Sequence, residues 1–263
     1  MPPKKPTVRF LSSVAALGLI TVSQSGAAIL TNITTSGANT TSANLSSLGT
    51  TNWAVWNVRA NGTTSSISAT ASKNGGLGTI SGITFTGADA TSVRGTDSLG
   101  NYPSNIFTWT AVDATGSTAA PSDGKIPGVF QSPLNFVGTG VKFSIQNLPP
   151  LAAGQYYLIT VLGSGYQAIN TLTATVGSDS VSQDSNSFGN SKTTDSFRFH
   201  YEPTSISDQI DFSYTIKTDT DAVQALSQAV IQGVTISVVP EPSSSVMALV
   251  GGLAFLGFRR RKG

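Results

Sequence analysis

Apolar residues recur at every second position in run after run of this chain, a period that fits β-strands and little else. Val141, Phe143 and Ile145 alternate with Lys142, Ser144 and Gln146; Phe197, Phe199 and Tyr201 alternate with Arg198 and His200. Ile210, Phe212, Tyr214 and Ile216 alternate with Asp211, Ser213, Thr215 and Lys217. Successive strand side chains point to opposite faces, so each run offers one apolar and one polar face. The stretch 156–162 is nearly continuously apolar and predicts a central strand covered on both faces, with Pro149, Pro150 and Gly154 marking the turn before it. Further strands are predicted over 53–58, 80–85, 106–112, 170–176 and 233–238, separated by Gly, Asn, Ser, Asp and Pro clusters. No useful helical period competes; 221–230 reads equally as a loop with one turn. About ten strands at this spacing predict an all-β fold, an antiparallel two-sheet sandwich of jelly-roll type. A right-handed β-helix is the competing architecture, but no fixed-period repeat supports it.

Composition narrows the chemistry. The 263 residues include no Cys and one His, which excludes a disulfide framework, a thiolate metal site, a cysteine nucleophile and any His-rich metal centre. Aromatics at 8% are enough to fill a core, while charged residues make up only 11%. The formal net charge of +2 misleads, because seven of the fifteen basic residues lie at the two ends: Lys4, Lys5, Arg9, Arg259, Arg260, Arg261 and Lys262. Only Glu241 among the acids lies there, so 29–238 holds 8 basic and 12 acidic residues, a net of −4. Nucleic-acid binding needs a clustered basic face, and this domain has none.

Both ends read as routing signals. Lys4, Lys5 and Arg9 precede a mostly apolar run, 10–22, and Ser25-Gly26-Ala27-Ala28 supplies small residues for cleavage after Ala27 or Ala28. That order is expected of a signal peptide over 1–28, cut by signal peptidase. At the other end, Val239-Pro240-Glu241-Pro242 leads through three serines into the apolar stretch 246–258, followed by Arg259, Arg260, Arg261 and Lys262. The two prolines end the preceding strand, since neither can donate to a ladder. The apolar stretch is short for a transmembrane helix, which takes about 17–25 residues. Ser243–Ser245 and snorkelling arginines extend its reach, with the basic cluster as the cytoplasmic stop.

This order of Pro-Glu-Pro, short hydrophobic helix and Arg-rich end resembles the PEP-CTERM sorting signal of exported bacterial proteins. The resemblance covers 239–263, with Pro240, Glu241 and Pro242 as the motif. It implies an exosortase in the inner membrane as processing partner, cleavage near the Pro-Glu-Pro, and delivery to the cell surface or extracellular matrix. A second phrase, Leu45-x-x-x-Gly49-Thr50-x-x-Trp53-Ala54-x-Trp56, is similar to the opening of a β domain that recurs beside such tails.

The region 29–238 offers little for catalysis. His200 is the sole imidazole, on the polar side of its strand, and no Gly-x-Ser-x-Gly elbow occurs. Eleven of the domain's 12 acids are Asp, mostly in turns, where Asp serves its own backbone. A non-catalytic surface or matrix protein is therefore expected, with a glycan-active enzyme as the remote alternative. The main rival is a carbohydrate-binding module for exopolysaccharide, using Trp53 and Trp56 as stacking faces. Their spacing of three puts them on opposite sides of a strand, so one at most enters the core unless both faces are buried or the strand bulges. Trp109, between Phe107 and Ala111, is expected in the core. Asp219 and Asp221 form a loose candidate site for a structural Ca²⁺, without the glycine turn or distal Glu of an EF-hand loop.

Overall fold

The structure is a computed structural model and describes residues 29–34, 42–56, 63–95, 106–116, 128–134, 136–186, 194–220 and 227–240. Eight strands form its frame: β1 (Asn52–Val55), β2 (Gly140–Gln146), β3 (Gln155–Tyr166), β4 (Ala168–Val176), β5 (Asp179–Asp184), β6 (Thr194–Glu202), β7 (Ile210–Asp219) and β8 (Gln228–Pro240). They divide between two antiparallel sheets. The first runs β6-β3-β8-β1, extended by Ile29–Thr34 beside β6 and by Ala71–Lys73 and Ala114–Gly116 beyond β1. The second runs β5-β4-β7-β2, extended by Ile83–Thr86 and Ser66–Ile67. Consecutive frame strands lie in different sheets except β4 and β5. Those two form a hairpin through Gly177-Ser178, where Gly177 takes φ 58 and so needs no side chain.

The strongest alternating runs build the core. Phe197, Phe199 and Tyr201 on β6 and Ile210, Phe212, Tyr214 and Ile216 on β7 are all buried. Phe212 stacks on Phe143 within its own sheet at 5.0 Å and meets Phe199 of the first sheet edge-on at 5.4 Å. Phe197 and Tyr214 repeat the edge contact at 5.5 Å, and Trp56 lies 5.6 Å from Phe143. These offset and edge-on arrangements suit ring quadrupoles, and they tie the two sheets together. At Gly140 the backbones of β2 and β7 come too close for any side chain, since a Cβ there would lie 1.9 Å from the Tyr214 carbonyl oxygen.

Several boundaries differ from the sequence expectation. β3 is central, but Tyr156, Leu158 and Thr160 remain half-buried, and cover on both faces begins only at Leu162. The run 80–85 breaks at Ser81 and Gly82 into Thr79–Ile80 and Ile83–Thr86. There the Ser81 hydroxyl accepts the Ser144 N–H at 2.8 Å. The strand predicted over 106–112 stops at Thr108, and a 3-10 turn at Ala111–Asp113 leaves Val112 exposed.

A second layer covers part of the first sheet's outer face. Ser42–Asn44 pairs in parallel with Ile106–Thr108, and Leu45–Leu48 adds one helical turn. Asn44 caps that turn by accepting the Ser47 N–H at 3.2 Å. Ala43, Leu45, Phe107 and Trp109 then close over Trp53, Val55 and Leu162. The Leu45 to Trp56 phrase is thus the point where the chain turns from this outer layer into the sheet.

Candidate functional site

The alternation that buries aromatics also lays polar residues on the outer face of the second sheet. Strand register aligns Ser182, Thr173, Ser213, Lys142, Thr84 and Ser66 in one row across six strands. Adjacent strands are about 4.8 Å apart, so the row is a regular array of hydroxyls broken by one ammonium. Thr173 and Ser182 bond to each other at 2.8 Å. Over the row's Ser66 end lies an open groove of about 590 Å³, walled by Ser66, Ser68, Thr84, Lys142, Asp211 and Ser213 among others. Two residues along the same strands, Asp184 pairs with Lys217 and accepts the Thr171 hydroxyl at 2.7 Å. The Lys217 and Thr171 donors hold the Asp184 carboxyl below its ordinary value.

Trp53 and Trp56 are not surface groups. Both are fully buried, which removes them as stacking faces for a sugar and corrects the expectation that one of them reaches solvent. They do point to opposite sides of β1, but both sides are covered. Trp56 enters the main core, and Trp53 lies under the outer layer, 5.8 Å from Trp109. Trp109 is core, as expected.

The remaining candidate groups are engaged locally. His200 Nε2 bonds to Glu202, and the His200 ring stacks flat on Tyr156 at 4.0 Å and 5°. Asp219 accepts the Ser227 hydroxyl at 2.5 Å. Asp221, Glu241, Pro242 and the basic residues Arg259, Arg260, Arg261 and Lys262 lie outside the described residues, as do 1–28 and 246–258. Among the described residues no group of three His, Cys, Asp or Glu could hold a metal ion. Nor is any helix there long and apolar enough to cross a membrane. Asp208 is partly desolvated, which raises its pKa, but the Ser205 and Thr204 donors outweigh this and leave it below the ordinary value.

The sequence counts Asp195 among the turn aspartates, but it is a strand residue. It is buried at the start of β6, where Asn186 donates its backbone N–H at 2.8 Å and its side-chain amide at 3.3 Å. Burial nevertheless pushes the carboxyl above its ordinary value. Thr194 next to it donates to Gln232 at 2.5 Å, and Asn170 donates to the Gln228 carbonyl at 3.0 Å. This is a buried polar layer at the end of the sheets, and its residue types do not mark it because the same polar residues fill the turns.

The end of β8 is the other feature of note. Val238, Val239 and Pro240 are strand residues, paired with Tyr157, Tyr156 and Gln155 of β3. On the opposite edge the Val238 N–H donates to Thr51 Oγ1 at 3.1 Å, and Ser237 Oγ donates to the Leu48 carbonyl. A family model described as the PEP-CTERM protein-sorting motif matches residues 238–262.

The chain carries a PEP-CTERM sorting motif.

That motif implies export, passage through the membrane and processing by an exosortase. Pro240 is its described proline, the last described residue of β8 and the partner of Gln155. No curated protein matches the chain. Among solved structures, the chain is similar to the enzymatically active domain of bacteriophage CBA120 tailspike protein 4. Identity is 14% and the TM-score 0.36 over 64% of this chain, which spans 20% of that one.

Proposed function

We propose that this is a non-catalytic surface protein. A signal peptide exports it, 246–258 holds it in the inner membrane, and an exosortase processes it near Pro240, Glu241 and Pro242. The β domain then passes to the cell surface or extracellular matrix as a scaffold. The PEP-CTERM motif at 238–262 carries this reading. The strand orders β1-β8-β3-β6 and β2-β7-β4-β5 follow the jelly-roll pattern of two Greek keys, a fold that can present loops without chemistry of its own. The engagement of His200 by Glu202 and Tyr156, and of Asp208 and Asp219 by local donors, supports the non-catalytic role.

A second reading, exopolysaccharide binding, is favoured by one observation: the hydroxyl-lined groove with Lys142 and Asp211. Such a site would hold a neutral glycan by hydrogen bonds rather than by indole stacking. The test is equilibrium binding of the purified chain to the producing cell's exopolysaccharide, with and without Ca²⁺, while Trp fluorescence is followed. The scaffold reading expects no saturable binding and unchanged emission in either condition. Saturable binding that Lys142→Ala abolishes, with emission still unchanged, would replace it with the groove reading.

A further inference from the structure

The sorting motif and the fold share residues, and this has a consequence for processing. The motif begins at residue 238, whereas β8 continues to Pro240. No spacer separates the two. Val238 and Val239 are half-buried and lie between the pairing to β3 on one edge and the Thr51 hydroxyl on the other. A processing enzyme must take the substrate backbone in an extended, unpaired form, because a strand already bonded within a sheet has no free donors or acceptors to offer.

Resting on the sorting reading above, we propose that the end of β8 shelters the backbone of the motif's first residues, 238–240, and that peeling of these residues away from β3 is the step that admits the exosortase. The same arrangement joins processing to folding. A chain whose β3 and β8 have not yet paired presents the backbone of 238–240 openly, while a folded domain presents it only through local opening of the strand end. Strand ends open far more readily than strand interiors, so the shelter slows processing and does not forbid it.

The experiment compares three full-length chains in the producing cell: the natural sequence, one with Gly-Ser-Gly-Ser inserted between Val238 and Val239, and one with the same insertion between Pro242 and Ser243. Precursor lifetime is read by pulse-chase, and amide exchange at Val238 and Val239 is read on the purified natural chain. The first insertion releases Val239 and Pro240 from the sheet and is expected to shorten precursor lifetime roughly tenfold, the factor that one or two net strand hydrogen bonds supply. The second insertion leaves the strand end as it is and is expected to change nothing. Amides at 238 and 239 that exchange as fast as an unfolded chain overturn the proposal, and so do equal effects of the two insertions, which would mean that distance from the membrane governs processing. If the amides are protected and none of the three chains is processed, the sorting reading itself fails and takes this proposal with it.

Discussion

Replacing Pro240 and Pro242 together by alanine, with 246–258 and the four terminal basic residues intact, leaves most of the protein in the inner membrane. The expectation rests on what is removed and what is kept. The apolar stretch and its basic stop still insert, so membrane arrival is unaffected. The recognition phrase is lost, while the ladder to β3 is untouched, because residue 240 turns its backbone nitrogen to the same edge as Val238, away from β3. Fold stability is expected to be nearly unchanged, because Pro240 is exposed at a strand terminus. Fractionation of the cell envelope with an antibody to the β domain gives the result directly. Unchanged surface delivery of the double variant would leave 246–258 as a plain anchor and remove Pro-Glu-Pro from any sorting role.

Phe212→Ala is expected to damage the fold severely. The Phe212 ring stacks on Phe143 in its own sheet and meets Phe199 of the other edge-on, so one side chain holds both a strand neighbour and the sheet-to-sheet contact. Truncating a buried Phe costs about 3–5 kcal/mol, through lost transfer energy and the cavity left behind. β2, β6 and β7 are held in register by their ladders and cannot collapse into that space, which favours the upper part of the range. Urea unfolding of the variant and the natural chain measures the loss. A loss below about 1 kcal/mol, the ordinary size for a point substitution, would mean that the two sheets do not pack through these rings.

The alternating runs were legible in the sequence because their signal is local. Strands at 141–146, 197–201 and 210–216 bury the residues that period two assigns to the inside, and Trp109 is core as its neighbours suggest. The fate of Trp53 and Trp56 was not legible. Spacing of three fixes that they point to opposite sides, but whether a side is covered depends on Phe107 and Trp109, more than fifty positions away in sequence. The pairing of β3 with β8 and the row from Ser182 to Ser66 depend in the same way on register between distant segments. Period two says that Lys142 and Ser213 face out; only the ladder says that they stand side by side. The sorting motif was legible for the opposite reason, since its parts follow one another along the chain. Its overlap with β8 was not, because the prolines mark where a strand must stop and not what it is paired with.

The most direct measurement follows the natural chain in the producing cell with and without its exosortase. The account predicts that loss of the enzyme empties the surface pool, collects a full-length precursor in the inner membrane, and is reversed when the enzyme is restored. Delivery of the β domain to the surface in the same amount and at the same mass without the enzyme would contradict it.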